Sequence, residues 1–62
     1  MKITLKDGSE KIYESSMRAI DIAKDISEGL ARNACACEID GKVEDLRTVI
    51  DNDCELNILT FN

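Results

Sequence analysis

Two cysteines, Cys35 and Cys37, stand either side of a single alanine in the segment NACACEIDGK. Thiolates at this spacing could bind a metal ion, but a closed tetrahedral zinc site needs about four ligands. The chain has no histidine and one further cysteine, Cys54. Because residues two apart on a strand point to the same face and free cysteine packs as a small hydrophobe, we predict that Cys35 and Cys37 lie in the core beside Ile39. Metal binding, redox chemistry and crosslinking are the alternatives.

Carboxylates are the second set of candidate ligands. Calcium sites gather about 6 to 8 oxygens, whereas the segments KDGS and IDGK each offer one carboxylate close to a lysine. Asp-Gly pairs are instead typical of hairpin turns. The most acidic segment, DNDCE, is predicted to be a solvated turn, with a weak metal contact as the alternative. Since the sequence has no histidine base, glycine-rich phosphate loop or nucleophile motif, we predict no catalytic, cofactor-binding or metal-binding residue.

Basic side chains are the remaining candidates, because phosphate neutralisation supplies much of the affinity of nucleic-acid-binding proteins. The chain carries 8 basic and 13 acidic residues, a net charge of -5, which disfavours strong independent binding of RNA or DNA. The fold could still bring some cations into a small strip, drawn from Arg18, Lys24, Arg32, Lys42 and Arg47. Ordinary surface charge is the first interpretation of these residues, because each has an acidic residue within a few positions, and a basic strip is the alternative.

The chain has the length of one small domain. Hydrophobic residues make up 44% and charged residues 34%, which is typical of a folded protein. The amino terminus lacks the apolar stretch of a secretory signal, and no apolar run is long enough to span a membrane. An odd count of three cysteines without an export signal indicates reduced thiols. We therefore expect a cytoplasmic protein with no membrane partner.

The first half of the sequence predicts two strands and a helix. KITL alternates polar and apolar residues, a turn follows at KDGS, and KIYE returns as a strand with Tyr13 facing the core and Ile12 partly covered. The period then changes over ESSMRAIDIAKDISEGLARNA, because Ile22, Ala23, Ile26 and Leu30 fall on one helical stripe, with Met17, Ala19 and Ile20 beside it. Ser15 or Ser16 could cap this helix. The glycine of SEG disfavours a helix interior, so we expect the helix to end near Ser27 and GLARNA to form a separate short helical turn.

The second half predicts three strands. CACEI alternates, the turn at DGK leads into a short strand at Val43, and ELNILTF closes the chain. Between these strands, DLRTVIDNDC is predicted to be a loop or a helical turn. The order of elements favours an α+β fold of the ubiquitin-like beta-grasp type, with a mixed sheet of four to five strands on one main helix plus a short helical turn. In this fold the last strand lies parallel to the first at the centre of the sheet, whereas a ferredoxin-like fold would need a second full helix.

Four segments of the chain together resemble one family. They are ITLKDGS at the start, DIAKDISEGLAR on the predicted helix, IDGKVEDL at the second hairpin and DNDCELNILTF at the end. Through them the sequence resembles, over nearly its whole length, the TGS domain at the amino terminus of threonyl-tRNA synthetases. Lys6 departs from the pattern of this family, which commonly has proline before the Asp-Gly pair. The resemblance implies a beta-grasp fold, in agreement with the order of elements.

The resemblance implies a non-catalytic accessory domain rather than an enzyme. A parent synthetase would join threonine to its tRNA with ATP and Mg²⁺ and would hold Zn²⁺ in its catalytic domain, and none of these groups is expected here. We expect residues 1–62 to be one TGS domain at the amino terminus of a longer chain, monomeric by itself and in contact with other synthetase domains. The resemblance also implies weak contact with tRNA, because such domains occur in enzymes that handle tRNA or ribosomes, and we select Lys24 and Arg32 as the predicted RNA-binding residues. The alternative is a regulatory, ligand-sensing TGS module of a guanosine tetraphosphate synthetase/hydrolase or an Obg-type GTPase.

Overall fold

Alternating and helical segments of the sequence form seven strands and two helices in the computed structural model, which describes residues 1–61. Asn62, the last residue of the predicted domain, lies outside the described residues. The elements follow in the order β1 (Lys2–Leu5), β2 (Glu10–Ile12), β3 (Met17–Arg18), α1 (Ala19–Ile26), α2 (Glu28–Asn33), β4 (Ala34–Ile39), β5 (Lys42–Glu44), β6 (Val49–Ile50) and β7 (Cys54–Thr60). Neither helix has the length and apolar character needed to cross a membrane.

Five of the strands form one mixed sheet in the order β2-β1-β7-β4-β5. The last strand lies at its centre, parallel to β1 and antiparallel to β4, as the sequence predicted. Apolar residues from one face of this sheet and from α1 form the core, because burying them removes their side chains from water. The buried hydrophobic residues are Ile3, Ala19, Ile22, Ala23, Cys37, Ile50, Cys54 and Leu56. The predicted beta-grasp arrangement is therefore confirmed.

Both predicted hairpin turns are present, and they differ in backbone geometry. In the turn between β4 and β5, Asp40 and Gly41 have φ angles of 52° and 84°, as a two-residue type I′ turn requires. The turn between β1 and β2 is longer, and Gly8 alone takes a positive φ, of 92°. Here the amide of Leu5 donates to the carbonyl of Ser9 at 2.8 Å. An Asp-Gly pair thus marks each turn without fixing its type.

The helical segment is divided at Ser27, as predicted. Ser27 is extended, with φ -170° and ψ 135°, and its hydroxyl accepts a hydrogen bond from the amide of Leu30 at 3.3 Å, which caps α2. The predicted cap of α1 by Ser15 or Ser16 is wrong. The residue before α1 is Arg18, and no side chain caps the helix.

Backbone groups satisfy the start of α1 instead of a serine. The amides of Ala19 and Ile20 donate to the carbonyls of Thr48 and Leu46, at 3.0 and 2.9 Å. These carbonyls belong to the segment that leads into β6, which pairs with β3 as a second, two-stranded sheet. The sequence predicted this segment as a loop or a helical turn, and its strand was missed because two residues are too few to show alternation.

The second strand turns its aromatic residue inward. Tyr13, just after β2, packs against the core as predicted. Ile12 was expected to be partly covered, but it is 70% exposed. The Tyr13 hydroxyl donates to Asp25 of α1 at 2.8 Å, so that this residue joins the sheet edge to the helix.

Candidate functional site

The thiols of Cys37 and Cys54 are buried in the core rather than available for chemistry. Cys37 has no exposed surface, and its Sγ lies 3.5 Å from the carbonyl oxygen of Glu44. Burial raises the pKa of the Cys37 thiol, and the carboxylates of Glu44 and Asp45 raise it further. Burial also raises the pKa of Cys54. Because the thiolate is the reactive form, both cysteines are held in their unreactive state.

The prediction that Cys35 also packs in the core is wrong. The pairing of β4 with β7 steps from Ala34 opposite Thr60 to Ala36 opposite Leu59, so one extra residue lies in β4. A bulge of this kind interrupts the alternation of faces. Cys35 is consequently exposed, with its Sγ 3.5 Å from the carbonyl oxygen of Leu59.

Acidic side chains of the predicted turns accept hydrogen bonds from backbone amides. Asp40 accepts from the amide of Glu55 at 2.9 Å, and Asp53 accepts from the amide of Lys2 at 2.7 Å. Across residues 1–61, no group of three or more cysteine and carboxylate side chains is arranged to hold a metal ion. The donor set also lacks histidine. The described residues therefore offer no donor set that fits the Mg²⁺ or Zn²⁺ that the resemblance implies for a parent synthetase.

Most of the basic side chains are neutralised by neighbouring carboxylates. The ion pairs join Lys2 to Glu10, Lys11 to Asp25, Arg18 to Asp21, Lys42 to Glu44 and Arg47 to Asp45. Within the part of the chain that the structure describes, the other three basic residues, Lys6, Lys24 and Arg32, make no ion pair. These three cations are therefore the ones with charge left for a partner.

The structure brings the two predicted RNA-binding residues together. Lys24 lies in the last turn of α1 and Arg32 in the last turn of α2, and both are exposed. With Glu28 and Ala31 they line one shallow depression, which we call the helical depression. The extended residue Ser27 separates the two helices, so the three charged residues surround a concave surface instead of following one straight helix. A phosphate there would meet two cations and one opposing carboxylate.

A second concave surface lies on the other side of the molecule, and the sequence did not reveal it. It has a volume of about 170 Å³ and is lined by Lys6, Glu38, Gly41, Glu55, Leu56 and Asn57. We call it the sheet cavity. Glu38 accepts a hydrogen bond from the side-chain amide of Asn57 at 2.9 Å. Alternation along β4 and β7 could have placed these two residues on the outer face, but their pairing depends on the strand register.

The chain is similar to known proteins over its whole length. Residues 1–60 match a family model described as the TGS domain. The chain is 53% identical over 62 residues to a protein named threonine–tRNA ligase from Clostridium perfringens (strain SM101 / Type A), covering 100% of this chain and 10% of that protein. It is 49% identical over 61 residues to a protein of the same name from Clostridioides difficile (strain 630), covering 98% of this chain and 10% of the relative. The chain thus spans about a tenth of the length of these curated relatives.

Proposed function

The chain belongs to the TGS domain family, and we propose that it is the amino-terminal accessory domain of a threonine–tRNA ligase. A TGS domain is a ubiquitin-like beta-grasp and a non-catalytic module, and the fold described above is of that type. The observation that carries the proposal is the identity of about 50% over the whole chain to proteins named threonine–tRNA ligase, of which it covers a tenth.

The chemistry of such a ligase would lie in other domains. The groups that ligation needs, ATP with Mg²⁺ and a catalytic Zn²⁺, are assigned by this proposal to the longer protein and not to residues 1–62. The relatives reported above favour this assignment over a regulatory TGS module of a guanosine tetraphosphate enzyme or an Obg-type GTPase. The partners are then the other domains of the ligase, and the compartment is the cytoplasm, where tRNA is charged. Reduced, unpaired cysteines suit that compartment.

The reading frame of the gene tests this assignment directly. Editing and catalytic domains encoded after residue 62 would support it. A stop codon at that point, or a guanosine tetraphosphate synthetase, hydrolase or GTPase domain in the same frame, would contradict it.

Contact with tRNA is the second part of the proposal, and it is confined to the helical depression. Lys24 and Arg32 make no ion pair within residues 1–61 and lie beside one another on that surface. The net charge of -5 opposes binding at long range, but salt at about 0.1 M screens charges beyond roughly 10 Å. Two local cations can therefore contact phosphates of an RNA while the carboxylates of the domain that lie beyond this distance are largely screened.

The salt dependence of binding follows from the number of cations. Contact of two phosphates predicts that the logarithm of the binding constant falls with the logarithm of salt concentration with a slope of about -1.4 to -1.8. Between about 50 and about 200 mM salt, the dissociation constant should therefore rise by about 7- to 12-fold. A folded domain of this size allows each backbone amide to be followed during a titration with threonine tRNA.

Two double variants test whether binding depends on the cations of the helical depression or only on the total charge of the domain. Lys24→Ala combined with Arg32→Ala should abolish the amide shifts and their salt dependence. Lys42→Ala combined with Arg47→Ala likewise removes one lysine and one arginine, whose side chains are 82% and 83% exposed, from outside the depression. This double variant should leave the amide shifts in place. Equal loss of binding in the two double variants, or an absence of shifts at both salt concentrations, would refute the RNA contact and leave the assignment to the ligase standing.

A further inference from the structure

The face of the five-stranded sheet that points away from the helices is uncovered within residues 1–61. On β7, Cys54, Leu56 and Ile58 pack in or against the core, so the alternating residues Glu55 and Asn57 point to the other side. Glu38 of β4 pairs with Asn57. Val43 of β5 pairs with Glu38, extends the same face to the sheet edge, and is 61% exposed. This outer face therefore combines polar residues with an exposed apolar one.

The sheet cavity lies on this outer face and has the size of a side chain. Pockets for drug-sized ligands measure about 300 to 1,000 Å³, whereas this cavity measures about 170 Å³. This cavity is therefore too small to enclose a ligand of that size. A single long side chain from another protein surface suits its volume.

The charges around the sheet cavity favour a cation. Glu38 is half-buried, and the neutral amide of Asn57 is the donor to its carboxylate. Neither Glu38 nor Glu55 makes an ion pair among the described residues, and the lysine that lines the cavity, Lys6, does not pair with either of them. Two carboxylates and one ammonium give the lining a net negative charge, and a partly buried carboxylate is stabilised by an opposite charge within about 4 to 6 Å.

On these grounds, and resting on the proposed function, we propose that the outer face of the sheet docks against another domain of the same ligase, which inserts one arginine side chain into the sheet cavity. The guanidinium would lie between Glu38 and Glu55, since its planar array of donors can serve two carboxylates at once. The apolar stem of the arginine would pack against the exposed Val43. The negative lining repels phosphate, so the occupant is a protein surface and not an RNA.

Carboxylate footprinting tests this contact in the complete ligase. The reagents are a water-soluble carbodiimide and glycine ethyl ester, and mass spectrometry gives the rate of modification of each carboxylate. Because a docked interface excludes water from its centre, Glu55 should react about fivefold or more slowly in the complete ligase than in the 62-residue chain. Glu14, which is exposed between β2 and β3 and does not line the cavity, should react at the same rate in both.

A charge variant in the complete ligase tests the arginine. Glu38→Gln keeps an acceptor for Asn57 but removes one carboxylate from the guanidinium, so the modification rate of Glu55 should return towards its value in the 62-residue chain. Glu14→Gln is the matched control and should leave Glu55 protected. Should Glu38→Gln prevent folding, Val43→Lys places a cation on the same surface, where it repels the guanidinium, and should likewise remove the protection.

The outcomes separate this inference from the proposed function. Equal reactivity of Glu55 in the 62-residue chain and in a sequence-verified ligase overturns the docking proposal alone. Protection that survives both Glu38→Gln and Val43→Lys overturns the arginine contact. A gene that encodes no ligase domains overturns the proposed function before footprinting begins.

Discussion

Replacing Cys37 with aspartate should remove most of the folding free energy of the domain, whereas the same replacement at Cys35 should cost little. Cys37 has no exposed surface and lies in the core with Ile3 and Leu56, while Cys35 is exposed at the bulge in β4. The two positions are two residues apart on one strand. The pair therefore compares the same chemical change in two environments that differ mainly in burial.

The magnitude follows from the cost of a buried carboxylate. Full burial raises the pKa of a carboxyl group by up to about 3 to 5 units, and each unit corresponds to about 1.36 kcal/mol. The cost at neutral pH is then about 4 to 7 kcal/mol, and the nearby carboxylates of Glu44 and Asp45 act in the same direction. The free energy of unfolding of a protein is about 0.05 to 0.15 kcal/mol per residue, which gives about 3 to 9 kcal/mol for a domain of 62 residues. The cost of Cys37→Asp at neutral pH is therefore comparable with the whole free energy of unfolding of the domain.

The pH dependence has a definite sign. The aspartate at position 37 would have a higher pKa in the folded state than the value of about 3.9 in the unfolded chain. The folded state then binds more protons, so the destabilisation is nearly absent below about pH 4 and grows as the pH rises through the folded-state pKa. Cys35→Asp should show no such dependence and should change the free energy of unfolding by about 0.5 kcal/mol or less.

Urea denaturation followed by circular dichroism, in the presence of a reductant, measures both variants at about pH 4 and about pH 7. Cys37→Ala serves as a control for loss of the sulfur alone and should cost roughly 1 kcal/mol. Equal destabilisation by the two aspartate variants at neutral pH would refute the assigned burial. A decrease in the free energy of unfolding of Cys37→Asp that was the same at both pH values would refute the electrostatic reasoning.

Two glycines and one tyrosine give further tests. Gly29→Ala in α2 should stabilise the domain by about 0.5 to 1 kcal/mol, because the new Cβ would lie 3.5 Å from the Ser27 hydroxyl without a clash. Gly41→Ala should destabilise it by about 1 to 2 kcal/mol in the same urea assay, because its φ is 84°. Burial and the hydrogen bond to Asp25 raise the pKa of Tyr13 to about 12, so tyrosinate absorbance, to which Tyr13 alone contributes, should titrate near that value. The folded state favours the protonated Tyr13 hydroxyl, so the stability that this group contributes is lost as the pH rises from about 10 towards 12. Tyr13→Phe should therefore remove this part of the pH dependence of the free energy of unfolding.

The elements with enough residues to show a period were predictable from the sequence. Alternation in KITL, CACEI and ELNILTF identified three strands, and helical spacing identified α1 with its end at Ser27. The pairing of β3 with β6 was missed because each strand has two residues and their contact joins positions about thirty residues apart. The same pairing explains the missed start of α1, since its amides are satisfied by distant carbonyls and not by a neighbouring serine.

Cys35 shows why a correct strand prediction can still misplace a side chain. The alternation of β4 is regular in the sequence, and the bulge arises from how β4 fits against β7 at Leu59 and Thr60. A single extra residue moves every side chain before it to the opposite face. Burial at Cys37 was therefore predictable from the residues that follow it, but the orientation of Cys35 required the partner strand.

The helical depression was easier to predict than the sheet cavity, because its residues are close in sequence and those of the sheet cavity are brought together by strand pairing. Lys24 and Arg32 are eight positions apart on adjacent helices, so helical spacing and a break at Ser27 suffice to bring them near one another. Lys6, Glu38 and Glu55 come from a turn and two strands that are remote in sequence, and each by itself has the appearance of ordinary surface charge. Their charge balance is opposite to that of the helical depression, where two cations face one carboxylate. Because their charge balances are opposite and they share no lining residue, the proposed tRNA contact and the proposed docking contact can be tested independently of one another.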